Sequence, residues 1–227
     1  MEGKIVVNRA CNLARVVINR PQRFNCLDQE VWEELGRIAR EIQADRELRA
    51  VILTGAGDKA FCAGIDLKLL SQVDRQFLIK NLDYLQTIHS WWENLEIPVI
   101  VAVNGVCIGG GLQLALCGDI RIASHTATFS IPEVQFGIIP DLGGTYRLTR
   151  LIGASQAKRL ILTGDAISAD EALKIGLVDL VVPANELMDE ADRLAARIAS
   201  RAPLAVRCAK KAINAAREGT QAAGYLF

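Results

Sequence analysis

An excess of charge of either sign is missing from this chain. Its 227 residues carry 26 Lys and Arg against 26 Asp and Glu, a formal net charge of zero. Electrostatic binding of nucleic acid normally needs a basic face, and this balance argues against it. Aromatic residues amount to only 5%, which leaves few platforms on which single-stranded bases could stack. Histidine occurs only twice, as His89 and His125, and the six cysteines (Cys11, Cys26, Cys62, Cys107, Cys117 and Cys208) form no CxxC pair. Zinc-ligand spacing and a disulfide framework are both absent, so no metal is expected. The opening MEGKIVVNRA has neither the apolar stretch of a signal peptide nor an Arg/Ser-rich transit pattern. These absences lead to the expectation of a cytoplasmic protein with buried thiols.

What the chain does have is apolar content, 51% of its residues, enough for a sizeable core. Its length predicts one domain or one and a half, at roughly 150 residues per domain. From Ile97 to Gly118 the chain carries no charge over a length that could span a bilayer. Asn104, Gln113, three consecutive glycines and Pro98 interrupt this run. It reads as a buried strand, a glycine turn and a buried helix, and no membrane partner is expected.

Ala14–Asn19 and Ala50–Thr54 are short β-branched runs that predict strands. Between them Asp28 can cap a helix reaching about Gln43, with Val31, Leu35, Ile38 and Ile42 on one face. A longer amphipathic helix is expected over Asp74–Leu95, with Phe77, Leu78, Leu82, Leu85, Ile88 and Trp92 aligned. Strands follow at Val99–Asn104, Ile120–Ala123 and Thr128–Ile131. Helices then dominate, at Leu142–Ile152, Ser155–Thr163, Ala169–Ile175, Glu186–Ser200 and Leu204–Arg217, with a short strand at Leu177–Val182. Strands alternate with helices first and helices prevail later, so the class is α/β. Residues 1–185 read as the core and 186–227 as a helical C-terminal region.

Several motifs fail on inspection. After Gly109–Gly111 comes Leu112 rather than the Lys-Ser/Thr of a P-loop, and no G-x-G-x-x-G follows. There is no G-x-S-x-G elbow and no H-E-x-x-H. His89 falls within the amphipathic helix and His125 in a polar turn, where a structural or solvated role is expected for each.

Three segments remain. They are Lys59-Ala-Phe-Cys-Ala-Gly-Ile-Asp-Leu-Lys68, Asn104-Gly-Val-Cys-Ile-Gly-Gly-Gly-Leu-Gln113, and Ile131-Pro-Glu133 running on to Pro140-Asp-Leu-Gly-Gly-Thr145. The first two each follow a predicted strand and precede a helix. Amides at a helix N-terminus are unpaired and favour negative charge. Two such ends brought together would place two N–H donors on one oxygen, an oxyanion hole. Either loop alone reads more readily as a tight strand–helix turn, because Gly-rich turns are common.

In this order and spacing the three segments resemble the enoyl-CoA hydratase/isomerase family, the crotonase superfamily. Asn19-Arg-Pro21, Ala50-Val-Ile-Leu-Thr-Gly55, Cys117-Gly-Asp-Ile-Arg121, Leu162-Thr-Gly164 and Glu171-Ala-Leu-Lys-Ile-Gly-Leu-Val178 support the resemblance, which extends to the helix around Lys210-Lys211. It implies a spiral of ββα units with a trailing helical region that helps build trimers or pairs of trimers. It also implies that Ile65 and Gly110 supply the two oxyanion-hole amides for the thioester carbonyl of a CoA substrate. Ala63, Asp66, Leu67 and Lys68 match the stretch that curls around the CoA moiety. Coenzyme A is then part of the substrate, and no separate cofactor is expected. Family members usually continue with further C-terminal helices, so this chain reads as truncated, partly ordered or naturally short.

The family's hydratases use two glutamates. Glu133 matches the second, whereas Gln113 stands where the first would be. An amide cannot take a proton at neutral pH, so Gln113 can orient a water or a substrate but cannot serve as a base. Asp141 sits where some family isomerases carry a catalytic acid, and it equally suits an N-cap for a helix beginning at Leu142. Isomerisation of an enoyl-CoA by Glu133, with the proton returned by Glu133 or Asp141, is therefore the expected chemistry. Hydration is the alternative within the enzyme class. A non-catalytic CoA-binding structural subunit is the alternative outside it.

Overall fold

The computed structural model describes residues 3–66 and 75–218, with side chains given for residues 3–66 and 81–217. Strands β1 (Ile5–Ala10) and β2 (Leu13–Ile18) form an antiparallel hairpin that leads through a 3-10 turn into helix α1 (Gln29–Ala44). Asp28 caps α1 as expected, its side chain accepting from the Val31 amide at 3.1 Å. Thereafter the chain repeats one unit. Strand β3 (Ala50–Gly55) is followed by β4 (Ala60–Cys62), and helix α2 (Arg75–Glu93) follows later. Next come β5 (Val99–Val103), β6 (Val106–Ile108) and α3 (Gly110–Ala115). The third turn supplies β7 (Ile120–Ser124), β8 (Thr128–Ser130), a 3-10 turn at Glu133–Phe136 and α4 (Gly144–Thr163). Strand β9 (Ile167–Ser168), α5 (Ala169–Lys174), β10 (Leu180–Val182), α6 (Leu187–Ala199) and α7 (Pro203–Glu218) complete the described fold.

Each unit places its first strand in one sheet and its second in another. The larger sheet has the order β1-β2-β3-β5-β7-β10 and is parallel beyond the first hairpin. The smaller has the order β4-β6-β8-β9, parallel through β8. This is the expected spiral of ββα units. Central strands β3 and β5 are buried throughout, as parallel strands covered on both faces must be. Val51, Leu53, Val99, Val101 and Val103 face the main core beside Val31, Leu35 and Ile38 of α1. The alternate residues Ala50, Ile52, Ile100 and Ala102 pack with Leu187, Ala191 and Ala195 of α6. Residues 186–199 thus cover the second face of the large sheet.

Three expectations are corrected. Helix α4 begins at Gly144 and not at Leu142, because Gly143 occupies the N-cap in a left-handed conformation, with φ 90°. The helices expected over Leu142–Ile152 and Ser155–Thr163 are the two halves of α4, divided as expected by the non-helical Gly153 with φ 78° and ψ 158°. The strand expected over Leu177–Val182 is confined to β10. Cys11 and Cys208 are exposed, so burial holds only for Cys26, Cys62, Cys107 and Cys117. Among the described residues no helix is long and apolar enough to cross a membrane. The uncharged run from Ile97 resolves into β5, β6 and the buried helix α3, as its glycines and polar residues suggested.

Candidate active site

The short strands β4, β6 and β8 lie side by side and parallel, with Cys62 level with Cys107 and Ile108 level with Ser130. The three motif segments leave from their carboxyl ends, the edge at which parallel sheets present ligand sites. Ala63–Ile65 follows β4, Gly109–Gly110 follows β6, and Pro132–Glu133 follows β8. They line a cavity of about 380 Å³ whose wall includes Ala63, Ile65, Gly110, Glu133, Phe136 and Ile138.

Backbone conformation aims one side of this cavity. Leu27 and Ile65 form a parallel bridge in which the Leu27 amide donates to Gly64 O and the Asp66 amide to Leu27 O. Successive amides of an extended chain point in opposite directions, so the Ile65 N–H faces away from Leu27. Gly110 opens α3, where the amide has no helical partner. No described residue accepts a hydrogen bond from either amide. Gly64 makes their approach possible: its φ is +86°, and a Cβ there would lie 2.8 Å from Ile108 O and 3.2 Å from Gly110 N. Only glycine adopts this conformation without strain and leaves room for the second loop.

Side chains build the other side. Gln113 is buried on α3, and its Oε1 accepts from the amides of Leu142 and Gly144, each at 2.9 Å. Two N–H donors on one oxygen fix the orientation of the carboxamide, since the flipped form would oppose NH2 to N–H. Its Nε2 therefore donates to Glu133 Oε1 at 2.7 Å. Glu133 Oε2 is buried and has no partner among the described residues. Burial raises the Glu133 carboxyl above the usual range; the Gln113 hydrogen bond opposes this and the charge of Asp141 adds to it. Burial likewise raises Asp141.

The expected residues thus fall into groups. Ala63, Ile65, Gly110 and Glu133 share the cavity wall. Gln113 stands behind Glu133 rather than on the wall. Asp141 is half-buried close to Glu133 and is not the cap of α4, a place taken by Gly143. The Asp66 carboxylate is bound inside the protein, to Arg23 at 2.9 and 3.0 Å and to the Cys26 thiol at 3.3 Å. Its side chain anchors the loop instead of facing the cavity. Leu67 and Lys68 lie outside the described residues, as do the side chains of Phe77 and Leu78. His89 is buried against Trp32, its Nδ1 meets Leu85 O at 2.8 Å, and burial pushes its pKa down to about 4. It is structural, as expected. Phe136 and Ile138 on the wall carried no sequence signal beyond being apolar. Among the described residues no group of three or more His, Cys, Asp or Glu side chains could hold a metal ion.

The ββα spiral brings to one cavity two amides without a partner among the described residues and a buried carboxylate, the class of site that suits chemistry on an acyl group. Comparison with known proteins narrows the class. The profile of the enoyl-CoA hydratase/isomerase family matches residues 8–226, and the chain belongs to that family of acyl-CoA enzymes. It is 45% identical to a short-chain-enoyl-CoA hydratase of Clostridium acetobutylicum over 93% of this chain and 81% of that protein. It is 42% identical to a crotonyl-CoA hydratase of Syntrophomonas wolfei over 96% of this chain and 82% of that one. A crystal structure of enoyl-CoA hydratase from Bacillus anthracis superposes with a TM-score of 0.94 at 41% identity, covering 98% of this chain and 86% of that one.

Proposed function

We propose that the chain shifts a double bond in an enoyl-CoA, with Glu133 as the proton-transfer group and the amides of Ile65 and Gly110 as the oxyanion hole. The orientation of Gln113 carries this reading. Its oxygen is taken by the amides of Leu142 and Gly144 and its NH2 is given to Glu133. It can neither accept a proton nor offer a lone pair to water, which leaves Glu133 as the base on this side. Glu133 Oε2 takes the α or γ proton of the substrate, and the electron pair moves onto the thioester oxygen. The two amides hold that oxygen, each such donor being worth about a hundred- to a thousandfold in rate. The double bond re-forms one position along as Glu133 or Asp141 returns the proton to another carbon. A carboxyl raised by burial suits this exchange, since its ionised form takes a proton more readily than an ordinary carboxylate does. These steps use no metal or redox cofactor, and CoA enters as part of the substrate, with Ala63 beside it.

Hydration of a 2-enoyl-CoA is the second reading, favoured by the names of the relatives from Clostridium acetobutylicum and Syntrophomonas wolfei, both hydratases. A paired assay separates the two. Purified protein is offered a 2-enoyl-CoA and a 3-enoyl-CoA, and the products are identified. Interconversion of the two supports isomerisation, and turnover of the 2-enoyl substrate alone to a hydroxyacyl-CoA sinks it. Binding of CoA without any turnover points to a structural subunit. Assembly as a trimer or a pair of trimers in the cytoplasm belongs to the same reading. Exposed Leu204 and Ile213 on α7 support the assembly, which the mass in solution checks.

A further inference from the structure

We propose that Arg147, anchored on Glu93, is a positioning residue for this reaction: it holds the turn before α4 so that Gln113 presents its NH2 group to Glu133. The inference rests on the reading of Glu133 as the proton-transfer group and adds the device that sets which of its oxygens is free.

Arg147 is buried, and its guanidinium spans two elements. Nε and Nη2 both donate to Glu93 Oε2 on α2, at 2.9 and 2.8 Å, while Nη1 donates to Leu142 O at 2.9 Å. The same Leu142 residue gives its amide to Gln113 Oε1. The two sets of hydrogen bonds therefore meet at Leu142: its carbonyl holds Arg147 and, one peptide group earlier, its amide holds Gln113, whose Nε2 reaches Glu133 Oε1. Gly143 lets the guanidinium lie against the turn, since a Cβ at that position would fall 2.0 Å from Arg147 Nη1. Glu93 Oε1 is engaged in turn by Arg217 of α7. Burial alone would raise the Glu93 carboxyl, but Arg147 and Arg217 outweigh it and hold the group below the usual range, so the anchor keeps its charge.

This arrangement has a chemical consequence. Gln113 can meet Glu133 with a donor or with an acceptor, and only the donor leaves Glu133 ionised with one oxygen satisfied and the other free. The two amides that select the donor face belong to the turn that Arg147 pins. A lysine at position 147 would keep the charge, but a single ammonium cannot reproduce three bonds in a planar fork to two elements. The turn, and with it Gln113, would lose its fixed orientation.

Arg147→Lys and Glu93→Gln are the variants, with kcat, KM and the pH profile measured in the wild-type and Gln113→Ala backgrounds. Arg147→Lys is expected to lower kcat by about 10- to 100-fold with KM little changed, the scale of a misplaced catalytic group. The acidic limb of its kcat/KM profile should move to higher pH, because Glu133 loses the hydrogen bond that opposes the effect of burial. Asp141, whose charge also raises Glu133, adjoins the same turn, and a limb shift that persists in the Gln113→Ala background is assigned to Asp141 and counts against the proposal. In the Gln113→Ala background, Arg147→Lys should add little. An equal loss in both backgrounds, or a lower Tm with kcat and the acidic limb unmoved, overturns the proposal. If Arg147→Lys does not fold, Glu93→Gln, which keeps the shape and an acceptor oxygen, is read by the same criteria. The exchange of the Gln113 side-chain amide protons, followed by NMR, gives a readout independent of activity. These protons should be protected in the wild type and exposed in Arg147→Lys, and unchanged protection overturns the proposal. Glu133→Gln with full activity would instead overturn the reading of Glu133, so the two failures are distinguishable.

Discussion

The Ile65–Gly110 side of the cavity is made of backbone, whereas the Glu133 side is made of side chains that hold one another. On the first side the donors are peptide N–H groups, placed by a strand bridge and a helix start and freed to approach by the left-handed Gly64. Such donors do not titrate, and no side-chain identity sets their strength. On the second side, everything depends on which way one carboxamide faces and on the charge of one buried carboxyl. On the proposed function, the constant field for an oxyanion and the adjustable proton acceptor each rest on the material suited to them. The consequence is that the two sides fail differently: the first through conformation, the second through ionisation and orientation.

Glu133→Gln should break the comparison most severely. Loss of the general base is expected to lower kcat by about 10²–10⁴-fold, measured by the 3-enoyl-CoA assay. The fold should respond in the opposite sense. The Glu133 carboxyl is raised in the folded chain, so its burial costs nothing below the unfolded pKa of about 4.3 and weighs increasingly as pH rises through the folded value. The variant should therefore gain in Tm at neutral pH, and the gain should vanish in acid. A variant equally active, or less stable at neutral pH, contradicts the assignment.

Gly64→Ala tests the backbone side. A Cβ there meets Ile108 O at 2.8 Å in a conformation with φ +86°, which costs about 1–3 kcal/mol in strain and pushes the two loops apart. Loss of one oxyanion donor predicts a fall of about 10²–10³-fold in kcat, with the pH profile unmoved because nothing that titrates has changed. A shifted acidic limb would show that the two sides are not independent.

The backbone side is the more legible in the sequence, and the reason is physical. Glycine marks the conformations and close approaches that only it allows, so Gly64 and Gly109–Gly111 announce the two loops by residue type alone. The β-branched runs announce β3 and β5 in the same way. The run Thr128–Ile131 announces β8, but β4 and β6, with three residues each, carry too little pattern to be read, and so the small sheet that brings the loops together stays hidden. The side-chain side is legible only as a set of residues. Gln113 is plainly a poor base, but its oxygen is fixed by amides 29 and 31 residues further along, and peptide groups have no identity to read. Asp141 suits a cap in the sequence, yet Gly143 takes that place in the fold. Nor does the sequence show that Asp66 is held by Arg23, a residue 43 positions away.

Gln113→Glu sharpens the side-chain half. One oxygen of the new carboxylate can accept from Leu142 and Gly144, but the other then faces Glu133 Oε1 with no hydrogen between them. One of the two groups must keep a proton, and the pair should titrate in two steps with the upper one raised. The acidic limb is expected to move up by about one pH unit or more, and hydration of the 2-enoyl-CoA should rise as a second carboxyl becomes available. An unmoved limb with no gain in hydration means that Gln113 does not stand beside Glu133.

The smallest expected effect is the most discriminating for the backbone half. Ile65 packs against the core while its N–H points away from Leu27 on the cavity wall, so its side chain and its amide have separate tasks. Ile65→Val removes one methyl group from the packing and leaves the peptide untouched. Stability should fall by about 0.5–1.5 kcal/mol, seen as a lower Tm, while kcat stays within about twofold of wild type, a difference below about 0.5 kcal/mol in barrier. If the variant instead loses about a hundredfold in kcat with its Tm nearly intact, the side chain itself shapes the reacting complex, an effect of about 2.7 kcal/mol. The contrast between a backbone side and a side-chain side would then fail where it is most specific, at the residue that has both an amide and a side chain to offer.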